Sequence, residues 1–113
     1  MEGVLILKLE QNEQVILDNK FPKSKMKLVL TNKRLIIQEN KKISEISLEQ
    51  INRAHGALDS RTSCSSLILD MKDDEQIQVT FEIVSGGINL PKEGKKITDN
   101  FLTEINQQIK DLV

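Results

Sequence analysis

His55 is the single histidine of the chain and Cys64 its single cysteine. Nucleophilic catalysis of the Cys-His or Ser-His-Asp kind needs a nucleophile, a base and an orienting group held together. His55 falls in an expected strand and Cys64 in a Ser-rich stretch expected to be a loop. The reading adopted is a partly exposed imidazole and an unreactive thiol. One His and one Cys do not furnish the three or four ligands of a metal centre. Asp70, Asp73, Asp74 and Glu75 lack the spacing of an EF-hand loop, so they read as a solvated acidic turn. Gly86-Gly87 has no Lys-Ser/Thr after it and is not a phosphate loop. No catalytic residue, metal or cofactor is therefore expected, and the chain is not read as an enzyme.

The lysines stand above this background. The net charge of −1 hides a polarised distribution. From Lys20 to Lys42 there are eight basic residues against Glu39 alone, a window of +7 in a chain whose remainder carries −8. Lys20 and Lys23 flank Pro22, while Lys25 and Lys27 alternate with Met26 and Leu28 and so point away from the core. Lys20, Lys23, Lys25 and Lys27 are the candidate site for an anion or a lipid headgroup, with Phe21 beside them as an apolar anchor. Lysines near an anionic surface contribute about 1 kcal/mol each, so attraction without much specificity is expected. The basic strands carry no stacking aromatics and the rest of the surface is acidic, which argues against nucleic acid.

These residues need elements to position them. Met26, Leu28 and Leu30 alternate with Lys27, Val29 and Thr31. After Asn32-Lys33, Leu35 and Ile37 alternate with Ile36 and Gln38. Pairing the arms sets Leu30 opposite Leu35 and Leu28 opposite Ile37, all on one face. A second hairpin joins Leu67, Leu69 and Met71 to Ile77, Val79, Phe81 and Ile83 across Asp73-Asp74-Glu75. Ile43 to Leu48, Ile51 to Leu58 and Glu13 to Asn19 read as further strands. Val4 to Leu9 is open between strand and helix, and Ser60 to Ser66 reads as loop. The period then changes. Ile97, Phe101, Leu102, Ile105, Ile109 and Leu112 form the apolar stripe of a helix from near Gly94 to Leu112, with Gly86-Gly87 and Pro91 in the loop before it. About seven antiparallel strands followed by one helix predict a mainly β barrel closed by that helix. Its core is expected to hold Met26, Leu28, Leu30, Leu35, Ile37, Leu67, Leu69, Ile77, Val79, Phe81, Phe101, Leu102, Ile105 and Ile109.

The 113 residues fit one domain, at 38% hydrophobic and 29% charged, with Phe21, Phe81 and Phe101 the only aromatics. A single Cys excludes an intrachain disulfide and fits a reducing compartment. No signal-peptide pattern and no stretch of roughly 18 apolar residues occurs, so a cytoplasmic protein is expected, with a peripheral place at a membrane as the alternative.

The run Leu28 to Glu39, LVLTNKRLIIQE, resembles the second and third strands of GRAM-type domains of the pleckstrin-homology-like superfamily. Asn12 to Leu17, NEQVIL, resembles the family's opening strand, and Ile46 to Ala54, ISLEQINRA, its fourth strand and exit. In order of elements the resemblance spans nearly the whole of residues 1–113. It implies a non-catalytic interaction module that binds a protein partner or self-associates as a homo-oligomer. The alternative it implies is a peripheral adaptor for an anionic membrane. The closing helix lacks the Trp common in pleckstrin-homology domains, and Phe101 is expected to fill that volume. The basic loop holds no Arg, which departs from phosphoinositide-binding members.

Overall fold

The computed structural model describes residues 9–21, 25–59, 64–82, 84–85, 88–89 and 91–112. Seven strands form two antiparallel sheets, and a helix follows. Strands β1 (Val15–Phe21), β2 (Met26–Thr31), β3 (Arg34–Glu39) and β4 (Lys42–Ser47) make a four-stranded meander in that order. A single 3-10 turn over Leu48–Gln50 leads to β5 (Ile51–Asp59), β6 (Cys64–Met71) and β7 (Gln76–Glu82), the second meander. Two short strands, β8 (Val84–Ser85) and β9 (Ile88–Asn89), pair with each other before helix α1 (Pro91–Asp111). The fold is therefore mainly β with one C-terminal helix, as the period-two runs and the final period change predict.

The register of the first hairpin is the one the alternation demands: Leu30 faces Leu35 and Leu28 faces Ile37. Those four side chains, with Met26, Ile46, Leu48 and Ile51, meet Leu67, Leu69, Val79 and Phe81 of the second sheet in one core. Phe101 and Ile105 of α1 complete it, at 2% and 0% exposure. Each such side chain, fully buried, contributes roughly 1.5–3 kcal/mol. Ile77, Leu102 and Ile109 pack against the cluster but remain half-buried. Ile77 and Ile109 lie toward the ends of β7 and α1, and Leu102 flanks the fully buried Phe101 on the helix.

Several expectations need correction. The helix begins at Pro91, earlier than near Gly94. Proline belongs in a first helical turn, where its missing N–H is not needed, so Pro91 starts the helix and does not precede it. Strand β6 begins at Cys64, inside the stretch expected to be loop through Ser66. Hydroxyls are compatible with a strand when they pair across it: Ser66 Oγ and Thr80 Oγ1 lie 2.9 Å apart. The first strand starts at Val15, and Glu13 precedes it. Val4 to Lys8, Pro22 to Ser24, Ser60 to Ser63 and Ile83 lie outside the described residues.

Two devices seat α1. A Cβ on Gly56 would stand 2.8 Å from Leu102 Cδ1 and 3.1 Å from Thr98 Cγ2, so glycine lets the helix lie this close to β5 without displacing those side chains. The Asn106 side chain then accepts from Ala54 N–H and donates to Ala54 C=O, both at 2.9 Å. The amide thereby imitates a neighbouring strand and seals this stretch of the edge of β5.

Candidate functional site: a basic depression on the four-stranded sheet

Strands β1 and β2 put Lys20 directly opposite Lys27, and β2 and β3 put Lys27 opposite Gln38. Lys25 sits in the turn entering β2 with φ 51°. Together Lys20, Lys25, Lys27 and Gln38 surround a depression of about 250 Å³ whose apolar floor is Phe21 and Met26. The structure thus brings together three of the four lysines expected there, and Lys23 lies outside the described residues. None of the three ammonium groups has an ion-pair partner among the described residues. Asp18 is the one carboxylate of the same strand, two residues before Lys20 on the same face and opposite Val29. Like charges set directly across a sheet repel, and a bound anion would relieve that repulsion.

Phe21 does not serve as the apolar anchor expected of it. Its ring is 1% exposed and stacks on Phe81 with centroids 4.2 Å apart. In a chain with only three aromatics, burying that surface in the core outweighs leaving it at a mouth. Lys27 lies off the core as predicted, opposite Lys20, and is half-buried.

A second charged cluster went unread in the sequence. Glu13 is buried, and its carboxylate receives Arg34 Nε at 2.8 Å and Nη2 at 2.9 Å, the forked geometry of a strong pair. Thr31 Oγ1 donates to it at 2.6 Å and the Glu10 N–H at 2.8 Å. Arg34 also pairs with Glu45. Asn32 exchanges hydrogen bonds with Gln14 and donates to Asn12 C=O, and Lys33 Nζ donates to Gln11 C=O. Each residue of the Thr31-Asn32-Lys33-Arg34 turn therefore ties down part of residues 10–14. The Arg34 guanidinium, with Thr31 and the Glu10 N–H, holds the Glu13 carboxyl at about 2 against an ordinary 4.5, despite burial acting the other way. A larger cavity of about 560 Å³ adjoins this cluster, lined by Glu10, Lys33, Arg34, Glu45, Ser47, Glu49, Gln50 and Leu112. Its lining sets three carboxylates against two cations, with Arg34 already paired to Glu45, so it lacks the positive field of the lysine depression.

His55 and Cys64 are not brought together. His55 stands opposite Ile68, and Cys64 stands opposite Asp59, four residues further along β5. His55 Nε2 lies 3.2 Å from Asp70 Oδ2. Asp70 also accepts from Gln76 at 3.0 Å and Arg53 at 3.0 Å. Gln76 first, then Arg53 and His55, hold its carboxyl at about 2. This is a cross-strand polar ladder on the outer face of the second sheet, with no nucleophile attached. Among the described residues no cluster of His, Cys, Asp and Glu could hold a metal ion, and no helix is long and apolar enough to cross a membrane.

In comparisons with known proteins, no family model, curated protein or solved structure matches this chain.

Proposed function

We propose that this chain is a non-catalytic interaction module of the GRAM-type, pleckstrin-homology-like kind, and that it docks an acidic segment of a protein partner on the lysine depression. One observation carries the reading: Lys20, Lys25 and Lys27 converge on one concavity with no carboxylate among the described residues paired to any of them. The element order, a succession of strands and then one C-terminal helix, supports the reading. Lysine ammoniums are compact, strongly hydrated charges without the guanidinium fork, so they attract carboxylates and phosphates without selecting one geometry. Burial of Phe21 leaves the depression without an aromatic to insert into a bilayer, which favours a protein partner over a lipid surface.

Parallel binding assays test this, one with a fluorescent Glu-rich peptide and one with vesicles containing phosphatidylserine. The peptide is expected to bind the wild type and to be lost with Lys20→Glu/Lys27→Glu. Vesicle binding that outlasts physiological salt would replace the protein partner with a membrane. No binding to either probe, or binding indifferent to the double substitution, would remove the depression as the site.

A further inference from the structure

The hydrogen-bond pattern of the first sheet shows which groups face its open margin. Asn40 N–H bonds Lys25 C=O, and Leu48 N–H bonds Lys33 C=O. In an antiparallel ladder these directions alternate residue by residue. The odd residues Lys33, Leu35, Ile37 and Glu39 of β3 and its entry therefore turn toward β4. The even residues Lys42, Ser44 and Ile46 of β4 answer them, in the register Glu39 to Lys42, Ile37 to Ser44 and Leu35 to Ile46. The N–H and C=O groups of Ile43, Glu45 and Ser47 then point off the sheet, and no described strand pairs with them.

The outer margins of β5 and β1 are blunted. The edge of β5 carries the Asn106 amide on Ala54. The edge of β1 is broken by a register shift between Val15 and Leu17, a bulge that discourages pairing. Strand β4 has no such device. Lys42, Ile43, Ser44 and Glu45 are all exposed, and Ile43 leaves 44% of its surface in water.

We infer that β4 is a self-association edge, on which β4 of a second copy of this chain adds antiparallel about a two-fold axis through Ile43. Registers that match outward groups set odd residues against odd residues. Setting Glu45 against Glu45 opposes like charges, and setting Ile43 against Glu45 buries no apolar pair. Setting Ile43 on Ile43 places the two exposed side chains together. It also places Lys41 of each copy opposite Glu45 of the other, so two opposite-charge pairs flank the axis. Glu45 holds Arg34 with one oxygen yet is 53% exposed, which leaves it open to a second cation. The product is an eight-stranded sheet continuous across both copies, an isologous contact. It is independent of the lysine depression, and the two readings stand or fall separately.

Sedimentation velocity from micromolar to millimolar protein tests the inference, together with cross-linking of Ile43→Cys in a Cys64→Ser background. Directly opposed Cα atoms in a hydrogen-bonded pair lie at about 5.5 Å, within disulfide reach. The chain is expected to form a dimer. Lys41→Glu, an exposed turn substitution, should weaken that dimer about tenfold, since two attractive pairs become repulsive. Diamide should link the Ile43→Cys chains faster than chains with Asn100→Cys, an exposed control on α1. A chain that is monomeric throughout the range would overturn the inference. So would a dimer that ignores Lys41→Glu and links no faster at position 43 than at position 100.

Discussion

Glu13 and Arg34 show what a single residue does here. A carboxylate with its side chain fully out of water is tolerable only because a forked guanidinium, a hydroxyl and a backbone N–H all meet it. Its low pKa makes this a statement about pH. The carboxyl titrates at about 2 when folded against an ordinary 4.5. The stabilisation is therefore complete above about 4.5 and is lost as pH falls from there toward 2. The difference corresponds to about 3 kcal/mol. Urea midpoints measured down that range should fall for the wild type. Glu13→Gln should cost about 3–5 kcal/mol at neutral pH, because Arg34 keeps a poorly solvated charge, and should flatten the acid slope. Asp70 titrates in the same window, so some slope should persist in that variant. A variant as stable as the wild type at pH 7 would show that the pair is only decorative. No local pattern in the sequence signals this pair, since its members are 21 residues apart and meet only once β1, β2 and β3 are paired. The Thr31-Asn32-Lys33-Arg34 run was the visible trace of it.

At the scale of elements, legibility followed periodicity. The hairpin of β2 and β3 could be paired residue by residue because one face is uniformly apolar. The closing helix was visible in its stripe of Phe101, Leu102, Ile105 and Ile109. What escaped were polar groups with buried partners. Asn106 lies on the helix face that reads as solvent, yet it holds the backbone of Ala54. Ser66 read as loop, yet it is buried in β6 with its hydroxyl against that of Thr80. Asn106→Ala should leave the Ala54 N–H and C=O unmatched beside α1 and lower stability by about 1–3 kcal/mol in chemical denaturation. Gly56→Val should force Leu102 and Thr98 apart and cost about 1–3 kcal/mol. Phe101→Ala should cost about 3–5 kcal/mol. Ending the chain after Thr98 removes Phe101 and Ile105 together and should leave it unfolded or aggregated. A truncated chain that melts cooperatively at the wild-type temperature would show that the helix is not part of the core.

The whole molecule is an electrostatically divided object. Its total charge is near zero, while one end of the four-stranded sheet gathers Lys20, Lys25 and Lys27. Such a field favours encounter with anions and is screened within about 8 Å at physiological ionic strength. The concentration of positive charge was legible from composition alone. Its shape was not, because it depends on the β1–β2 register that sets Lys20 beside Lys27 and on the stacking of Phe21 against Phe81 that takes the ring off the surface. The most direct test is a titration of the isotopically labelled chain with a Glu-rich peptide, followed by amide chemical shifts residue by residue. The predicted result is shifts confined to Lys20, Phe21, Lys25, Met26, Lys27 and Gln38 that collapse when salt is raised. Shifts centred instead on the cavity beside Arg34 and Glu45, or no shifts at low salt, would contradict the account.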